Sequence, residues 1–223
     1  ERWPEVRPST ADVFAQEQST VRAATMVTPR CCCNVQRMLR WLRILTTASV
    51  LVEAVLLCGV RYGRAGTPTT FALEDAMSAL EQAHGTVLAS SGLSAITMAL
   101  SAFVEAGDHI LVTDSTYTPT RNFCDRTLAR LGVKTEYFDP LIGAGITDLI
   151  CDNTRLIWTE CPGSQTFDVQ DLPAIVEAAH ARDVIVLTDN TWSGGYFRKP
   201  LTEGVDISVQ AATKYIVGHS DVM

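Results

Sequence analysis

The chain has 223 residues, 47% hydrophobic and 19% charged, with 14 Gly and 9 Pro; this suffices for one large packed domain or two small ones and excludes disordered, collagen-like and low-complexity classes. The net charge of −7 is uneven: residues 1–60 carry seven Arg against five acids, and residues 61–223 carry eleven basic against twenty acidic side chains. An acidic main body without a Lys/Arg stripe speaks against a nucleic-acid partner or an anionic-membrane surface, and seven Cys without matched C-x-x-C pairs point to reduced thiols in a cytoplasmic setting, with no metal site.

The first sixty residues read differently from the rest. Residues 44–60, ILTTASVLVEAVLLCGV, are apolar but contain Glu53 and fall short of the ~20 residues that a membrane span needs. Arg37, Arg40 and Arg43 resemble the basic flank of a signal peptide, yet the run starts far from residue 1 and lacks an A-x-A exit. No membrane role is assigned. Residues 18–60 hold five Arg, no Lys and no Asp beside Cys31, Cys32 and Cys33, a bias expected of GC-rich DNA translated out of frame. Residues 1–60 are therefore set apart as a segment of atypical sequence without assigned function.

From residue 61 onward short β-branched runs alternate with helical spacing. Thr67-Pro68 supplies an N-cap and an N1 proline, and Phe71, Leu73, Met77 and Leu80 follow at helical spacing, which predicts a helix over 68–83. Residues 86–90 read as a buried strand. Ser91-Gly92 then opens a second helix through Leu93, Ile96, Leu100 and Phe103, which Gly107 stops. Strands are predicted at 109–113, 134–138, 155–159 and 184–187, and helices at 118–131 and 172–182. Such alternation implies an α/β fold, a mainly parallel sheet with crossover helices on both faces.

In open parallel sheets ligands bind beyond the carboxyl ends of the strands. Residues 90–93, 114–117 and 189–192 occupy such positions, as does the segment ending at Thr213-Lys214. The Gly92 and Leu93 amides at a helix start make an anion site, or Gly92 merely eases a tight turn. Of only three lysines, Lys134 and Lys199 read as solvated surface. Lys214 follows an apolar-rich stretch over 205–212, where a partly desolvated amine would be nucleophilic; the alternative is a snorkelling side chain. Asp189, ending an apolar strand, either meets a buried cation such as a protonated pyridine nitrogen or caps a turn.

An anion cradle, a lysine, a carboxylate and the aromatic Tyr117 together make the set needed for pyridoxal 5′-phosphate (PLP). The run DISVQAATKYIVGHS over 206–220 resembles the lysine signature of the Cys/Met-metabolism family of PLP enzymes. The resemblance extends over 61–223, through YGRAGTPT (62–69), SSGL (90–93), DSTYTPT (114–120), ECPGS (160–164) and DNTW (189–192). It implies the large domain of the aspartate-aminotransferase-like fold, fold type I. It further implies that Lys214 forms the covalent link to the cofactor, Asp189 keeps the pyridine nitrogen protonated, and Tyr117 stacks on the ring and assists proton transfer. Gly92, Leu93 and Thr213 would bind the phosphate. Tyr62 and Arg64 would reach the phosphate of a neighbouring subunit in a dimer-of-dimers homotetramer.

Ser164 and Trp192, where the γ-acting branches often carry Asn and Phe, resemble the β-lyase branch, which cleaves the amino acid cystathionine to homocysteine, pyruvate and ammonia. Three departures accompany the resemblance. The family continues into a C-terminal small domain that supplies an arginine for the substrate carboxylate, and this domain is expected to be absent. Residues 1–59 do not resemble the family's N-terminal segment. Ala211 stands where the family often has a phosphate-binding Ser. A non-catalytic fragment is the alternative of another class.

Overall fold

The computed structural model describes residues 66–220. The expectations for residues 1–60, Tyr62 and Arg64 lie outside that range. In chain order the elements are α1 (Pro68–Glu81), α2 (Gly92–Ser101), β1 (His109–Thr113), α3 (Thr118–Asn122) running into a π-helical stretch Phe123–Leu128, β2 (Lys134–Phe138), a 3-10 helix Gly143–Leu149, β3 (Thr154–Glu160), α4 (Leu172–His180), β4 (Ile185–Asp189), a 3-10 turn Pro200–Glu203 and β5 (Ile207–Val209). Among the described residues five strands form one sheet in the order β2-β1-β3-β4-β5, every neighbouring pair parallel.

Side chains alternate across this sheet and so build two apolar layers. On one face Ile110, Val112, Leu156, Trp158, Ile185 and Leu187 pack with Ile96 and Leu100 of α2 and with Cys124 and Leu128 of the π-helical stretch. On the other, Leu111, Ile157 and Val186 meet Leu172 and Ile175 of α4, with Ile146 of the first 3-10 helix sealing the layer. The α/β reading with helices on both faces is therefore met. All five residues of β1 are buried, as a central strand covered on both faces requires.

Helix starts follow the local chemistry. The Thr67 hydroxyl accepts from the Thr70 amide and the Thr70 hydroxyl receives the Thr67 amide, a reciprocal cap before Pro68. Asp171 caps α4 through the Ala174 amide at 3.2 Å.

Residues 86–90 depart from expectation: they lie outside the sheet, and Val87 is 50% exposed. An extended run becomes a strand only through a ladder partner, and among the described residues no strand pairs with it. Lys199 departs as well. Rather than standing in solvent, its half-buried ammonium donates to the Leu80 carbonyl at the end of α1, where the helix leaves carbonyls unpaired.

The last residue of α1, Glu81, is buried and ties the helix to the sheet's carboxyl end. Its Oε1 accepts from Asn190 Nδ2 at 2.8 Å, from Ser208 Oγ at 3.0 Å and from the Gln210 side-chain amide. Removing this acceptor strands three donors, so Glu81→Ala should cost about 1–3 kcal/mol, read as a lower denaturant midpoint. Glu81→Gln, which keeps one acceptor oxygen, should lose less.

Candidate active site

Because all strands are parallel, the residues that leave β1, β3, β4 and β5 emerge at one end of the sheet. They and the first turn of α2 enclose a cleft of about 540 Å³. Its lining includes all six described candidates, Gly92, Leu93, Tyr117, Asp189, Thr213 and Lys214.

The N-cap Ser91 takes the Ser94 amide at 3.1 Å, leaving the Gly92 and Leu93 amides at the helix start without an acceptor among the described residues. Close packing explains Gly92: a Cβ there would sit 2.6 Å from Ala211 Cβ and 3.1 Å from Ala211 Cα. That contact presses α2 against the loop before Lys214. Gly92→Ala should therefore lower the melting temperature and displace the loop, and the double variant with Ala211→Gly should recover part of the loss; independent, additive losses would contradict it.

Asp189 makes the turn-capping contact that its sequence position allows. It accepts the Thr191 amide at 2.9 Å, and it lines the cleft without an ion pair among the described residues. Burial pushes its carboxyl above the usual range, opposed by Thr191 and by the Lys214 charge. The Thr191 hydroxyl in turn accepts the Ala211 amide at 2.8 Å, joining the loops after β4 and β5.

Lys214 reaches the cleft from an exposed turn, so of the two readings of its position the solvent-reaching side chain is the one seen. The apolar run that suggested burial contributes only three residues to the strand β5 at the sheet's edge, and the chain leaves the sheet before Lys214. Aromatic rings stand beside it: Trp192 meets Tyr215 edge-on at 5.9 Å and Phe167 at 5.4 Å.

Glu160, to which sequence reasoning gave no role, also lines the cleft. Its Oε2 accepts the Tyr117 amide at 2.7 Å and the Thr116 hydroxyl at 3.3 Å. Burial first, and the neighbouring Asp189 second, push its carboxyl up to about 8. The folded chain thus binds a proton that the unfolded chain releases near pH 4.5. The resulting stability is fully present below that value and is lost as pH rises through about 8. Between the two, melting temperature should fall with pH more steeply in the wild type than in Glu160→Gln.

A sequence model described as "Cys/Met metabolism PLP-dependent enzyme" matches residues 52–223. The chain belongs to this Cys/Met-metabolism family. It is 55% identical over 162 residues to a putative cystathionine β-lyase of Rhizobium johnstonii, covering 73% of this chain and 41% of that protein. It is 49% identical over 164 residues to the cystathionine β-lyase MetC of Escherichia coli K12, covering 73% and 42%. Among solved structures, a cystathionine γ-lyase of Lactobacillus plantarum complexed with L-serine matches with a TM-score of 0.72 and 34% identity, covering 76% of this chain and 44% of that one. The chain thus spans less than half the length of these relatives.

The family's cofactor is PLP, and the cleft suits it. Two helix-start amides without acceptors match a phosphate. A buried carboxylate with no cation in contact matches a protonated ring nitrogen. An accessible primary amine at Lys214 matches an aldehyde.

Proposed function

We propose that this chain carries the PLP-binding part of a carbon–sulfur lyase that splits cystathionine by β-elimination. The observation that carries this reading is the convergence of Lys214, Asp189, Tyr117 and the Gly92–Leu93 amides on one cleft. When bound, PLP would supply an electron sink for charge developing at the substrate's α-carbon.

Membership of the family supports the following tasks for the protein's own groups. Gly92 and Leu93 amides with the Thr213 hydroxyl would hold the phosphate, Asp189 would hold a proton on the ring nitrogen, and Tyr117 would cover the ring. Lys214, besides holding the cofactor's aldehyde carbon, would as a free amine take the α-proton and return a proton. Tyr117 assists that transfer. By the family resemblance, Tyr62 and Arg64 would reach the phosphate of a neighbouring subunit in a tetramer built as a dimer of dimers. The enzyme works in the cytoplasm, where the free thiols of Cys124, Cys151 and Cys161 stay reduced.

β-Elimination consumes cystathionine and water and yields homocysteine, pyruvate and ammonia; γ-elimination yields cysteine and 2-oxobutyrate instead. Ser164 and Trp192, both lining the cleft, support the β outcome. Incubating the chain with PLP and cystathionine and identifying the oxo acid tests it: pyruvate is expected, and 2-oxobutyrate would move the assignment to the γ-acting branch. A second reading, a cofactor-binding but non-catalytic chain, rests on the described cleft lining, whose one basic side chain is Lys214. Cofactor bound at Lys214 without any oxo acid would select it.

A further inference from the structure

β3 and β4 run in register so that Glu160 pairs with Asp189. Register partners on adjacent strands project to the same face. Here that face is the α2 side, where Trp158 and Leu187, two residues earlier on each strand, are packed. Two carboxyl groups therefore stand together on the floor of one cleft.

Tyr117 needs an anchor. It occupies the N-cap position of α3, yet its own side chain makes no capping hydrogen bond. Its amide is taken instead by Glu160 Oε2 at 2.7 Å, from a strand 43 positions later. The same oxygen receives the Thr116 hydroxyl at 3.3 Å, and Thr116 Oγ1 accepts from Trp158 Nε1 at 3.1 Å. Trp158 is fully buried, so this chain of contacts runs from the core to the cleft. It ends on the backbone of the residue whose ring is assigned to cover the cofactor.

The geometry points to Glu160 as a positioning residue of the cofactor site, a buried side-chain acceptor that fixes the Tyr117 backbone from the strand position beside Asp189. This rests on the cofactor assignment above for its purpose, though not for its structural content. The charged groups around Glu160 are few. From β4 comes Asp189; from the loop after β5 comes Lys214, which acts on Asp189. The α2 residues at the cleft, Gly92, Leu93 and Ile96, carry no charge. Arg121 of α3 is engaged with Asp114 at 2.5 Å. Glu160 thus has burial and a like-charged neighbour against it and no cation in an ion pair, which keeps its proton on near neutrality. Burial raises Asp189 as well, opposed by its hydrogen bonds to Thr191 and by the Lys214 charge.

The test is the amide resonance of Tyr117 in the full chain, labelled with nitrogen-15 and followed over pH without added cofactor. A shift titrating with a midpoint about 8 in the wild type, and flat in Glu160→Gln, is the expected result. A Tyr117 amide that does not titrate in the wild type, or the same titration in Glu160→Gln, overturns the proposal. Loss of Trp192 fluorescence on adding PLP supplies a second readout: Glu160→Gln should bind within about twofold of the wild type, and Glu160→Leu about tenfold more weakly. Equal binding by all three also overturns it. Should Glu160→Leu fail to fold, the Glu160→Gln titration still decides. Failure of the cofactor assignment would show separately, as wild-type chain that takes no PLP at Lys214 while Tyr117 still titrates.

Discussion

Lys214→Ala should abolish the stable pyridoxyl label that borohydride leaves on the chain after incubation with PLP. An aldehyde and a primary amine condense with loss of water, and the reductant converts the carbon–nitrogen double bond to a single bond that survives digestion and mass analysis. Besides the chain's terminal amine, three side-chain amines compete. Lys134 is exposed at the start of an edge strand, 3.6 Å from Glu136, and Lys199 is engaged with the Leu80 carbonyl. Lys214 alone among them lines the cleft with the helix-start amides and Asp189. The label should therefore fall on Lys214 in the wild type and vanish in the variant, a loss of at least about a hundredfold. A label spread over Lys134 and Lys199 would remove Lys214 from the site.

The largest effect on stability is expected from Trp158→Ala. Trp158 is 0% exposed, centred in the layer between the sheet and α2. Truncating such a side chain costs about 3–5 kcal/mol through lost transfer energy and a residual cavity. That is a large share of the ~5–15 kcal/mol by which domains are stable. The midpoint of denaturant unfolding should fall with little change in slope. Trp158→Phe keeps most of the volume but withdraws the Nε1 donor from Thr116, so it should cost less while still loosening the link to Glu160. A loss below about 1 kcal/mol for Trp158→Ala would place the ring outside the core.

Much of the sheet was legible because its signal is local. HILVT over β1 is built on the continuous apolar run over residues 110–112, as a strand covered on both faces requires, and the structure buries all five residues. Residues 86–90 carry the same kind of signal without forming a strand, because pairing is a property of two segments and the sequence names only one. Gly92 was noticed for its turn, yet its closest constraint is a side chain at Ala211, far along the chain. Lys214 was placed with the site by its motif while its exposure stayed open between two readings, since exposure depends on what else packs over the loop. Glu160 could have been found: it directly follows the predicted strand 155–159, a position that the strand-end rule marks for inspection. What the sequence withholds is the register that sets it beside Asp189.

A wholly parallel sheet has a kinetic consequence. His109 must find Lys134 on one side and Thr154 on the other, and Leu156 must find Ile185; none of these meetings is helped by a tight hairpin. Each requires a long segment to close before the first interstrand bond repays the entropy. Folding should accordingly be slow, with a transition state that waits on distant encounters. The cleft draws one wall from each of four strand ends, so its capacity to take up PLP should appear only in the last phase of refolding, making cofactor capture a clock for completion of the sheet.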